Sequence, residues 1–206
     1  FEGSFKHYTG SSFKRLYQDT FDYLRKEWEQ QDTCSLVPSY HSPDKKDYTS
    51  YRYPCPVDDS TVVAVKSGLK DINALVTIVH GKEKRLSYIG SINSRLDYRN
   101  GKIYWTEIVP GLRWTHENYS VLKCYDLKEG RIKSITPRQR YLSPSVDKNG
   151  KVAAVSRTTV DGKNQLVLVE LEDGKELFAF QVPGNAFIKE LTFTDQDEVV
   201  AVAVTD

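Results

Sequence analysis

The run Asn149-Gly150-Lys151-Val152-Ala153-Ala154-Val155-Ser156-Arg157 places a polar turn directly before a short apolar strand, and the same pairing recurs along the chain. Asp58-Asp59-Ser60, Asn100-Gly101 and Gln196-Asp197 are the other turns, and the strands that follow the turns open at Val62, Ile103, Val152 and Val199. Those openings lie 41, 49 and 47 residues apart. Such a period suits one four-stranded propeller blade per unit, whereas a sandwich or a helical repeat has a different period or pattern. The predicted fold is mainly β: a partial β-propeller of about three four-stranded blades plus the start of a fourth, with one N-terminal amphipathic helix.

Outward from that repeat, turn chemistry supports the same units. Gly81, Gly130 and Gly174 mark a later hairpin in three successive units, where a tight turn needs positive φ. Alternation and β-branched content predict strands over 61–66, 74–79 and 85–89, then 102–108, 120–126 and 131–135, then 151–157, 165–171 and 176–181. Residues 11–31 carry the helix, with Phe13, Leu16, Tyr17, Phe21, Leu24 and Trp28 on one face and Ser11 or Ser12 as its cap. Between them, 32–56 reads as an irregular connector because Pro38, Pro43, Pro54 and Pro56 interrupt it, and its tyrosines are expected to lie against a surface. The expected domains are thus a helical segment at 1–31, a connector at 32–56 and blades at 57–206.

Composition narrows the partners. The chain has 206 residues, 39% of them hydrophobic, which suffices for a packed core. Lys+Arg at 29 against Asp+Glu at 28 leave a net charge of +1, so no global field attracts nucleic acid or anionic lipid. No apolar run approaches the roughly 18 residues of a membrane span, so this segment is not expected to insert. Starting at Phe1, lacking Met and stopping inside an alternating strand, it reads as a piece of something longer. The spacing of Cys34, Cys55 and Cys124 has no CxxC pair for zinc; Cys34 and Cys55 remain candidates for a disulfide and Cys124 for a buried thiol.

Topology assigns the faces. In an up-and-down blade the first and third hairpins share one face of the disc, while the second hairpin and the link to the next blade share the other. Here the second connections are the long ones, Ser67 to Asp71, Val109 to Tyr119 and Thr158 to Asn164, so binding residues are expected on that face. Three blades and a fraction cannot close a ring of four to eight. Completion is expected from remaining domains of the same polypeptide, or from a second copy of the chain.

The segment Tyr141-Leu142-Ser143-Pro144-Ser145-Val146-Asp147-Lys148-Asn149-Gly150-Lys151-Val152-Ala153 resembles the blade signature of TolB-like, WD-type propellers. Tyr48 to Pro54, Val65 to Ile72, Trp105 to Trp114 and Tyr119 to Lys123 resemble large exported proteins of Bacteroidetes, in which a gluzincin-type peptidase domain precedes a helix, a connector and a TolB-like propeller. That resemblance implies an exported, periplasmic or cell-surface location. It does not extend to the zinc ligands, since His7, His41, His80 and His116 form no His-Glu-x-x-His.

Other catalytic signatures are missing as well. No Gly-x-Ser-x-Gly elbow or phosphate-cradling loop occurs, and Asp58-Asp59, Glu170 with Glu172, and Asp195 with Asp197 read as turn chemistry. No catalytic residue, metal site or cofactor is expected. Arg113, Trp114, His116, Glu117 and Tyr119 crowd one long loop with an aromatic platform, a forked cation and a titratable ring; the same residues also suit a plug between blades. Lys66, Lys70, Arg95, Arg138 and Arg140 are expected on the same face, suiting an acidic peptide or a chain terminus. The expected function is a non-catalytic binding or gating module that recruits a peptide or protein ligand. The alternative is a substrate-orienting part of a peptidase or hydrolase whose catalytic domain lies outside this chain.

Overall fold

A computed structural model describes residues 2–31, 47–92, 94–111 and 118–205. The chain divides into two units, Phe1–Ser39 and Tyr40–Asp206. In the first, α1 (Glu2–Thr9) and α2 (Phe13–Gln31) are separated at Gly10, whose φ of +71° ends the first helix. Ser12 caps α2: its Oγ accepts from the Arg15 N–H at 3.3 Å and its carbonyl from the Leu16 N–H at 3.0 Å. The short helix α1 was not foreseen, because its polar sequence shows little apolar period. Phe13 and Trp28 remain 59% and 60% exposed, so the aromatic stripe is not buried within its own unit.

The second unit is a succession of antiparallel sheets. The first holds β1 (Thr49–Pro56), β2 (Thr61–Gly68), β3 (Ala74–Val79) and β4 (Lys82–Tyr88), hydrogen-bonded in that order. In the second, β5 (Ser91–Ile92) and β6 (Asp97–Arg99) both pair with β7 (Lys102–Pro110), followed by β8 (Asn118–Asp126) and β9 (Arg131–Ser134). The third repeats the first with β10 (Tyr141–Val146), β11 (Val152–Thr158), β12 (Asn164–Glu170) and β13 (Glu176–Gln181). A fourth begins as the pair β14 (Phe187–Phe193) and β15 (Val199–Val204). This is the partial propeller that the repeat predicts; the quoted turns join β1 to β2, β6 to β7, β10 to β11 and β14 to β15.

One expectation fails. Thr49–Pro56, placed in the irregular connector, is the innermost strand of the first sheet, with Tyr51 opposite Lys66 and Cys55 opposite Val63. Its prolines read as strand breakers, yet an innermost strand has one free edge, so a missing N–H there costs no ladder bond. Pro54 sits at the register shift between Arg52 and Cys55, after Tyr53 at φ +55°. The third sheet repeats the device: Ser143 at φ +49° precedes Pro144, inside the shift between Leu142 and Ser145.

Apolar residues fill the gaps between successive sheets. Val63, Val65 and Leu75 of the first sheet meet Ile103, Trp105 and Tyr125 of the second. Tyr104, Leu122 and Cys124 then meet Val146, Ala153 and Leu171, while Ala154 packs with Ile188 and Leu191. Alternate residues of β7 thus serve two different cores, which is why Ile103 through Glu107 are all buried. Each fully buried aliphatic side chain of this kind contributes about 1.5–3 kcal/mol. Cys55 and Cys124 are buried free thiols; Cys34, the candidate partner of Cys55, lies outside the described residues.

Candidate functional site

Three segments from the long-connection face meet between the second and third sheets. The link from β9 to β10 passes Pro137, which disfavours the helical region for the preceding Thr136. Two backbone hydrogen bonds then pin the link to the start of β8: the Ser120 N–H donates to the Gln139 carbonyl at 2.6 Å, and the Gln139 N–H donates to the Ser120 carbonyl at 2.8 Å. Ser120 Oγ adds a third bond, to the Tyr141 carbonyl at 2.6 Å. Arg138 and Arg140, on either side of Gln139, both line the cavity formed here. The Arg140 guanidinium lies 6.0 Å from the centre of the Tyr119 ring, at the outer range of a cation–π contact.

The opposite wall is the end of β11 and its turn into β12. The Thr159 N–H donates to the Lys163 carbonyl at 2.9 Å, and the Thr159 Oγ1 accepts from the Lys163 N–H at 3.0 Å. Gly162 at φ +78° lets the chain reverse there. Asp161, at the tip, is held down at about 2, first by its hydrogen bond from Lys163 and then by that from Thr159. Tyr119, Arg138, Gln139, Arg140, Arg157 and Thr158–Val160 line an open cavity of about 240 Å³. Val160, 89% exposed, supplies an apolar lip.

Most polar groups in that wall already have partners. Arg157 donates to Gln165 Oε1 at 2.8 and 3.0 Å and to Glu176, and Thr158 Oγ1 donates to Asn164 Oδ1 at 2.7 Å. Among the described residues neither Arg138 nor Arg140 has a carboxylate partner. The expected basic ring is therefore smaller than its sequence suggests. Lys66 pairs with Glu83 at 2.9 Å, Lys70 with Asp47 at 2.7 Å and Arg95 with Glu190 at 2.7 Å. Arg95 also departs in position: it lines a cavity of about 280 Å³ among the innermost strands, together with Pro54, Asp97, Pro144 and Leu191.

Of the site residues expected from sequence, Tyr119, Arg138 and Arg140 come together, while Arg113, Trp114, His116 and Glu117 lie outside the described residues. Arg157 was missed because its strand position gave no sign that it borders the same cavity. A larger cavity of about 470 Å³ opens at the tight-turn ends of the same two sheets, lined by Tyr104, Cys124, Lys133, Lys151 and Leu171 among others, with burial pushing the Cys124 thiol up. Among the described residues no cluster of His, Cys, Asp and Glu has the makings of a metal site, and no helix is long and apolar enough to cross a membrane.

No protein-family model and no curated protein matches the chain. Solved structures do match. The crystal structure of TolB from Acinetobacter baumannii is 13% identical with a TM-score of 0.57, covering 75% of this chain and 37% of its own. The β-propeller domain of the Trilobed protease from Pyrococcus furiosus is 13% identical with a TM-score of 0.46, over 66% of this chain and 43% of that one. For the acylaminoacyl peptidase of Pyrococcus horikoshii the values are 16% and 0.41, over 54% and 17%. The chain thus has a TolB-like propeller fold and spans little more than a third of the length of that TolB.

Proposed function

We propose that this propeller segment is a non-catalytic module that recruits a peptide or protein ligand through the face carrying its long connections. One observation carries the reading: three segments distant in sequence, at Tyr119, Arg138 to Arg140 and Arg157 to Val160, converge on one cavity at the junction of two sheets. Rigid strands fix each segment, so the site is preformed and a ligand has little ordering to pay for. The sequence resemblance to exported proteins with an upstream peptidase-like domain supports an exported parent protein of the same kind. It also supports the second reading, in which the face orients substrate for a catalytic domain elsewhere in the polypeptide.

The test is loop exchange. An array of immobilised peptides is probed with the full chain, with a variant whose 159–163 turn is replaced by Asn-Gly, and with a variant altered in the opposite-face turn at Asn149 and Gly150. Peptide capture that is lost in the first variant and kept in the second supports recruitment by this face. Capture that survives the first and fails in the second overturns it.

A further inference from the structure

We infer that the cavity at the second and third sheets selects a carboxylate, so that the recruited ligand is an acidic peptide segment with an apolar neighbour; this rests on the recruiting function proposed above. The argument is one of unmatched hydrogen-bonding capacity. Around the cavity the hydroxyls of Thr158 and Thr159 are bonded to Asn164 and to the 159–163 turn, and the Asp161 carboxylate is bonded to Lys163 at 2.8 Å. Arg157 is committed to Gln165 and Glu176. Of the charged residues lining this cavity, Arg138 and Arg140 have no ion pair with another described residue, each with a planar fork of donors and no acceptor. An anionic ligand would find two guanidinium forks here with no carboxylate partner among the described residues, and a carboxylate matches such a fork through two parallel hydrogen bonds.

The setting favours that ligand further. Arg140 stands beside the Tyr119 ring, and the Ser120 and Gln139 backbone bonds hold the segment carrying both arginines, so little backbone freedom is lost on binding. Exposed Val160 and the Tyr119 ring give an apolar residue next to the carboxylate a surface to cover. Among the described residues the three other basic residues expected on this face are paired with Glu83, Asp47 and Glu190, which leaves Arg138 and Arg140 as the members of that set without a carboxylate.

Isothermal titration of the full chain tests this with four probes: an N-acetylated, C-amidated peptide of alternating Glu and Val, its Gln analogue, that Gln analogue with a free C-terminal carboxylate, and inorganic phosphate. The Glu peptide is expected to bind about tenfold or more tightly than the amidated Gln peptide. Raising salt from about 0.1 M to about 1 M should weaken it severalfold as the screening length shrinks. Arg138→Ala with Arg140→Ala should abolish the preference while leaving the melting temperature unchanged. Binding by the free-terminus Gln peptide alone assigns the carboxylate to a chain end and overturns the acidic side-chain assignment; phosphate competing as well as the Glu peptide overturns carboxylate selectivity. Equal binding of Glu and Gln peptides, lost on replacing the 159–163 turn, overturns the inference and leaves recruitment standing. Glu-peptide binding untouched by both the arginine and the turn variants overturns both, and no binding by any probe overturns the inference.

Discussion

The carboxylate of Asp97, on the innermost strand of the second sheet, accepts a hydrogen bond at 2.6 Å from the backbone N–H of Val146, on the innermost strand of the third. Ser145 and Phe193 repeat the tie one blade on, where Ser145 Oγ accepts from the Phe193 N–H at 3.0 Å. Beside the first tie, Arg99 Nε donates to the Val146 carbonyl at 3.2 Å and Asn100 Nδ2 to the Asn149 carbonyl at 3.0 Å. Adjacent sheets are therefore joined by packing and also by side chains that satisfy backbone groups on a free strand edge.

Burial pushes the Asp97 carboxyl up, outweighing the Val146 N–H and the Arg99 charge, which both favour its ionised form. A carboxyl raised on folding binds more protons in the native state than in the unfolded one. Its contribution is therefore full at low pH and declines as pH climbs from about 4 through the raised value. Asp97→Asn keeps an acceptor for Val146 and should remove this decline, so urea melts of the two proteins should diverge from pH 4 to pH 7 with the wild type losing ground. Asp97→Ala, which strands the N–H, should cost about 1–3 kcal/mol. Parallel pH profiles for wild type and Asp97→Asn would contradict the assignment.

Tyr141 on β10 lies opposite Arg157 and donates to Glu176 at the start of β13; Tyr51 on β1 lies opposite Lys66 and donates to Glu83 on β4. In both, burial first and the glutamate second push the phenol well above the usual range. Ultraviolet titration should find these two tyrosines un-ionised until the fold is lost at high pH. Tyr141→Phe should lower stability by about 1 kcal/mol, read from the denaturation midpoint. Ionisation of every tyrosine near pH 10 would refute the prediction.

Gly174 and Gly101 share a positive φ, +75° and +77°, but not their surroundings. A Cβ on Gly174 would collide with the backbone carbonyl of Ile135, whereas one on Gly101 meets nothing within 4 Å. Gly101→Ala should therefore cost only backbone strain, about 1–2 kcal/mol. Gly174→Ala must in addition push away the backbone of the β9–β10 link at Ile135 and Thr136, so its melting temperature should fall clearly further. Equal losses would show that the close approach does not matter.

Cys55 is 7% exposed, and burial together with the nearby Asp97 charge pushes its thiol up to about 11, against the opposing Arg99. Few thiolates exist at neutral pH under those conditions, and access is blocked. Iodoacetamide at pH 8 should leave Cys55 unmodified in the native chain and alkylate it in urea. Rapid native labelling at Cys55 would mean that the first sheet opens locally.

The strand Thr49–Pro56 carries a pattern that its prolines obscure. Tyr51 and Pro54 stand in the same relation as Tyr141 and Pro144, so a second copy of the innermost-strand pattern lay inside the segment assigned to an irregular linker. That signal was available but masked by Pro56 and by the changed turn, Asp58-Asp59-Ser60 in place of Asn-Gly. At the site, Arg138 and Arg140 were legible as loop cations because their neighbours include Pro137. Arg157 was not, because a residue closing a strand gives no local sign of which neighbouring sheet's link will pass beside it.

The sequence alone determined the repeat, the β class and the face with the longer connections, since turns and alternation are written within a few residues and impose their φ values locally. Only the tertiary structure decided which cations remain available. Lys66, Lys70 and Arg95 find carboxylates far along the chain, and Arg138 and Arg140 meet none among the described residues. Pairing of charges depends on which strands the blades bring within a few ångströms, a distance fixed by packing between sheets and recorded nowhere in the order of the residues.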